Sequence, residues 1–119
     1  MSMVEELITM PPRPVIDKDR TYLEVDGQRL PPGNYQITYG KEIEMNMVIV
    51  NEGDEGGWCR ILLVDELTGE RLSEPYTWLN PGESFLLAHC IKVERGLALK
   101  VYAQWSLDEE TWNTTDEYG

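Results

Sequence analysis

The stretch VIVNEGDEGGWCRILLV, residues 48–64, joins two apolar runs through three acids and three glycines. Its middle is either a ligand loop or a connection between strands, and the flanking runs decide which. Upstream, EIEMNMVIVN (residues 42–51) places Ile43, Met45, Met47 and Ile49 on one face, with Glu44 and Asn46 on the other. That period of two belongs to a half-buried strand. Downstream, WCRILLVDEL (residues 58–67) is more continuously apolar, as expected of a central strand. The middle therefore reads as the turn between the long strand and its partner. Gly53, Gly56 and Gly57 would supply backbone angles that other residues resist.

Further runs extend the pattern. Residues 84–93 alternate Phe85, Leu87, His89, Ile91 and Val93 against Leu86, Ala88, Cys90 and Lys92. Residues 97–105 put Leu97, Leu99, Val101, Ala103 and Trp105 on one side. Turn chemistry separates the runs: Asp26-Gly27, Pro31-Pro32-Gly33-Asn34, Thr68-Gly69 and Asn80-Pro81-Gly82-Glu83. Short strands at this spacing predict an all-β protein, an antiparallel β-sandwich. Helix is expected only at residues 3–9 or as one turn at 107–112. Residues 1–20, with MPPRP at 10–14, read as an extended N-terminal arm or edge segment. Residues 21–119 form the sandwich, ending in a C-terminal hairpin that returns Trp112 toward Trp105.

With 119 residues the chain is sized for one domain. Asp and Glu outnumber Lys and Arg by 22 to 10, giving a net charge of −12. Such a surface repels phosphate backbones and anionic lipid, so neither nucleic acid nor membrane is an expected partner. No apolar run approaches a membrane span, and the start lacks the pattern of a secretory signal. The expected location is cytoplasmic as synthesised, or within a virion or other assembly. Cys59 and Cys90 are expected as reduced, buried thiols. His89 and Cys90, as strand neighbours, point to opposite faces and cannot easily converge.

No catalytic residues are expected. One histidine cannot build a multi-His metal site, and no G-x-S-x-G or phosphate-binding loop occurs. Calcium is the one cofactor weighed. Glu52, Asp54 and Glu55, with Asp108 on a second acidic loop, offer hard oxygen ligands, but the spacing lacks the closing Glu of an EF-hand. Trp58, Tyr76, Trp78, Tyr102, Trp112 and Tyr118 form the expected ligand or partner surface. If several share a face they could stack on sugar rings or bind a proline-rich segment; otherwise they pack the core and hairpins. Asn113-Thr114-Thr115 is a glycosylation sequon, idle without export.

Three segments carry a resemblance: VIVNEG (48–53), LNPGES (79–84) and GLALKVYAQW (96–105). Their order, V-x-N-x-G, then L-x-P-G-x-S, then G-x-x-x-V-x-A, resembles the CARDB-like and related bacterial and archaeal immunoglobulin-like modules over residues 37–105. The resemblance implies an immunoglobulin-like antiparallel β-sandwich, of about seven strands, with a non-catalytic role in adhesion, spacing or substrate presentation. Those modules usually occur in tandem within exported chains, and the ending SLDEETWNTTDEYG departs from theirs. The expected function is accordingly a structural or interaction module, a subunit of a larger protein assembly through protein partners or self-assembly. The alternative is a carbohydrate- or peptide-binding module.

Overall fold

A computed structural model describes residues 9–119. These residues are all-β, in two antiparallel sheets around one core. Ten short and long strands form where about seven were expected: β1 (Pro14–Ile16), β2 (Tyr22–Val25), β3 (Gln28–Leu30), β4 (Glu42–Asn51), β5 (Gly57–Asp65), β6 (Glu70–Ser73), β7 (Tyr76–Leu79), β8 (Ser84–Lys92), β9 (Leu99–Ser106) and β10 (Asn113–Tyr118).

Each sheet is built around one long strand. In sheet A, β8 pairs with one edge of β4 from Val50↔Ser84 to Glu42↔Lys92, while β1 and then β2 share the other edge, with β3 outside β2. In sheet B, β9 lies along one edge of β5, while β7 and β6 share the other, with β10 outside β9. The inward faces follow the predicted alternation. Met47, Ile49, Cys59, Ile61, Leu63 and Ala103 are all 0% exposed. Each large apolar side chain buried in this way contributes about 1.5–3 kcal/mol.

Two predicted turns form as their residues require. Asp26 and Gly27 both have positive φ (51° and 78°), the type I′ geometry that closes the β2–β3 hairpin. Gly82 (φ 82°) takes the third position of Asn80–Glu83, closed by the Glu83 N–H on the Asn80 carbonyl at 3.0 Å.

Four expectations are corrected. First, β4 and β5 do not pair. Both edges of β4 are occupied by β8 and by β1 and β2, so residues 52–56 carry the chain from sheet A to sheet B. Second, the glycines of that crossing do not have positive φ. Space is their reason. A Cβ on Gly53 would stand 2.1 Å from the Pro11 carbonyl oxygen, and one on Gly57 would stand 2.4 Å from Pro12 Cγ. Third, residues 107–112 form no helix. Asp108 instead accepts from the Glu110 and Thr111 N–H groups and holds a bend. The other helix expectation, at residues 3–9, falls almost wholly outside the described residues. Fourth, Cys59 is buried but Cys90 is exposed, because Cys90 lies on the outward side of β8; both are free thiols.

The crossing is clasped by Asn51, which is fully buried. Its Oδ1 accepts from the N–H groups of Arg13 and Gly53, both at 2.9 Å. Its Nδ2 donates to the carbonyls of Glu55 (2.9 Å) and Leu79 (3.0 Å). Its backbone N–H donates to Glu83 O, and its own carbonyl accepts from Gly82 N. One side chain thus fixes the N-terminal segment, the crossing and the β7–β8 turn together.

Candidate functional site

Cross-strand register places four of the six expected surface aromatics on the outer face of sheet B, and ring contacts bring Trp112 to the same face. Trp58 lies opposite Trp78, Arg60 opposite Tyr76, and Leu62 opposite Tyr102. Trp58 meets Trp78 edge-to-face at 5.5 Å and Tyr76 at 5.7 Å; Tyr76 meets Trp112 at 5.3 Å. Tyr76 and Trp78 each remain 45% exposed. Arg60 anchors the array. Its guanidinium sits 4.2 Å from the centre of the Trp112 ring and donates to Gln104 Oε1 at 2.6 Å. Gln104 in turn donates to Thr114 at 2.8 Å. Burial pulls the Arg60 pKa below its ordinary value, with Arg71 adding repulsion and Glu74 opposing both. The Tyr76 hydroxyl donates to Glu109 at 3.0 Å, and that carboxylate raises the phenol's pKa.

The remaining aromatics are placed differently. Tyr102 donates to Glu66, further along the same face, and its pKa is raised for that reason. Tyr118 pairs with the inward-facing Val101, packs against the core and carries Lys18 at 5.7 Å from its ring centre. Trp105 also packs on the core side, opposite Asn113. The expected Trp105–Trp112 lock is therefore replaced by a Tyr76–Trp112 contact between β7 and the β9–β10 hairpin.

The acids weighed for calcium have protein partners. Asp54 accepts from the Met10 N–H and Glu55 from the Thr9 hydroxyl, both at 2.8 Å, while Glu52 pairs with Arg13 at 3.3 Å. They tie residues 9–13 to the crossing. Asp108 lies at the same end of the molecule. It accepts from Ser106, Glu110 and Thr111, and the two backbone N–H groups hold its carboxyl far below the ordinary range. Among the described residues no three His, Cys, Asp or Glu side chains are grouped to hold a metal ion. Nor is any helix long and apolar enough to cross a membrane.

Two features were not read from the sequence. A cleft of about 690 Å³ opens at the far end between the sheets, lined by Tyr22, Leu23, Ile37, Leu97, Leu99 and Tyr118 among others. Part of its wall is a Pro/Gly-rich segment, residues 31–37 with Tyr39, whose fold periodicity cannot give.

The second is the free edge of β8. Glu83 O accepts from Asn51 N, and Val93 N donates to Lys41 O, so odd-numbered backbone groups here face β4. Alternation along an antiparallel ladder turns the even-numbered groups, from Ser84 to Lys92, away from it. Among the described residues no strand or side chain bonds them. The even-numbered side chains are all exposed, Leu86 to 62%, and the inward row of Phe85, Leu87, His89 and Ile91 is only half-buried.

No protein-family model matches this chain, and comparison with curated proteins finds no match.

Proposed function

We propose that the chain is a non-catalytic interaction module of immunoglobulin-like type, serving as a subunit of a larger protein assembly such as a virion or surface structure. The open β8 edge carries this reading. A long, regular, apolar edge exposes a row of unsatisfied donors and acceptors, and proteins normally blunt such edges with charge, proline or bulges. β8 has nine residues in unbroken register with no proline or bulge, and its one charged residue, Lys92, stands at its end.

The strand order supports the immunoglobulin-like part. Labelling β1/β2, β4 and β8 as A, B and E, and β5, β9 and β10 as C, F and G, gives sheets of A-B-E and C-F-G. In the constant-type arrangement a strand D covers the outer side of E. Here β6 and β7 pair with β5 instead, so among the described residues that side of β8 is open. The resemblance segments VIVNEG and LNPGES also meet physically at Asn51. Size-exclusion chromatography with light scattering tests the proposal: the expected result is a concentration-dependent oligomer, and a strict monomer at millimolar chain counts against it.

The aromatic face supports a second reading, carbohydrate or peptide binding. Half-exposed rings beside Arg60, Gln104 and Glu109 combine stacking surface with hydrogen-bonding groups. Titrating the Trp fluorescence with oligosaccharides should then give a saturable change that Trp78→Ala weakens at least tenfold. A flat titration removes this reading.

A further inference from the structure

We infer that the partner of the β8 edge is a second copy of this chain, paired antiparallel across a two-fold axis at Ala88. The inference rests on the assembly reading and gives it an occupant and a register.

The backbone permits it. Two-fold pairing about Ala88 sets Ala88 opposite its own copy, Leu86 opposite Cys90 and Ser84 opposite Lys92. All are even-numbered residues, whose N–H and C=O groups face the open edge, so each can bond its counterpart. No shift or bulge is needed, because β8 holds one register against β4 along its whole length. The five strands of sheet A would continue into the five of the partner.

Charge selects a second copy. The chain carries −12, so two copies meeting face to face generally repel. Residues 84–93 contain no Asp or Glu and one Lys, a local charge of +1. The other long outer strand, β10, carries Asp116 and Glu117, and β6 carries Glu70. β8 is thus the long edge on which like chains approach without opposing acids. Side-chain fit agrees: the exposed Leu86 gains Cys90 of the other copy as its neighbour, while the inward pairs would be Phe85–Ile91 and Leu87–His89. These cover the row that β4 and the core leave half-buried.

Cross-linking of the full chain tests the register. In a Cys90→Ser background, Ala88→Cys puts the two thiols on directly opposed residues, about 5.5 Å between Cα atoms. That lies within the ~4.4–6.8 Å a disulfide spans. Mild oxidation should yield a covalent dimer with Ala88→Cys but not with Ser84→Cys, whose counterpart is Lys92. Leu86→Lys should raise the concentration for half-dimerisation at least tenfold. Ala88→Pro, which removes an N–H that does not face β4, should do the same with the near-ultraviolet dichroism preserved; should it misfold, Leu86→Lys decides. Equal cross-linking at position 84, or a wild-type dimer joined through Cys90, overturns the Ala88 register while leaving assembly intact. A dimer indifferent to Leu86→Lys overturns the β8 interface. A monomer at every concentration overturns both this inference and the assembly reading.

Discussion

Glycine acts in two different ways in this chain, and substitutions separate them. At Gly82 the backbone is left-handed (φ 82°) and a Cβ would meet nothing within 4 Å. Its cost is conformational alone, about 1–2 kcal/mol for Ala, and Asn should recover part because its side chain tolerates that region. At Gly53 φ is ordinary, but a Cβ would stand 2.1 Å from the Pro11 oxygen and 2.8 Å from Arg13 N. Both are backbone atoms, so relief means moving residues 11–13 away from the crossing. Gly53→Ala should therefore cost roughly 1–3 kcal/mol, typical of overpacking, and Gly53→Asn at least as much. Gly56→Ala should cost less than Gly53→Ala, since its nearest contacts, at 3.0 Å, are side-chain atoms of Asn80 and Trp78. Urea denaturation of the five variants gives the order directly. Equal losses for Ala and Asn at position 82, or a neutral Gly53→Ala, would contradict this division of roles.

Among elements, β7 is short, with four residues, and the aromatic array compensates. Trp58 contacts both Tyr76 and Trp78 edge-to-face, and such pairs add about 0.5–1.5 kcal/mol each beyond area burial. Trp58→Ala should therefore loosen β7 selectively. In hydrogen exchange, amides of β7 should lose protection by about one to two orders of magnitude, while those of β6, on the same edge of β5, change less. Uniform loss across both strands would mean that the array supports the whole sheet. The same strands show what periodicity can and cannot convey. Alternation at 42–51 and 97–105 named the inward faces correctly, from Ile43 to Ala103, because burial has period two in any sheet. It could not name neighbours. β4 and β5, adjacent in sequence, went to different sheets, since pairing depends on which edges other strands have taken. β8 reads as a strand in sequence, yet nothing local says that its outer side stays open. For the same reason Trp112 could be placed at a hairpin, but not against Tyr76, which is distant in sequence. Asn51 stood in a recognisable motif, whereas its four side-chain bonds draw on three separate segments.

At the scale of the whole molecule, the excess of acids makes pH the sharpest probe of what the carboxylates do. Most are exposed, but Asp65 is fully buried at the end of β5. It accepts from the Ala98 N–H, from Arg95 and from the Leu67 N–H, and these contacts, led by Ala98, hold its pKa below 3.8. Asp108 is lowered by the Thr111 and Glu110 N–H groups, and Asp17 by Arg20. A carboxylate whose pKa is lower folded than unfolded contributes stability that is complete above the unfolded value. It loses that contribution as pH falls through the folded one. Stability should therefore hold through neutral pH and fall steeply below about pH 4. The alkaline side has its own limb. Tyr76 and Tyr102 are raised by Glu109 and Glu66, so their contribution is complete below pH 10 and declines as pH climbs through their raised values. Asp65→Asn isolates the buried group. It should lower stability at pH 7, where the Arg95 pair and the Ala98 and Leu67 contacts are all weakened, and should flatten the acid limb, because one lowered carboxylate no longer titrates. Urea midpoints measured from pH 2.5 to 7 for the wild type and Asp65→Asn decide the matter: parallel curves would show that Asp65 does not set the acid limb, whereas converging curves at low pH would assign it there.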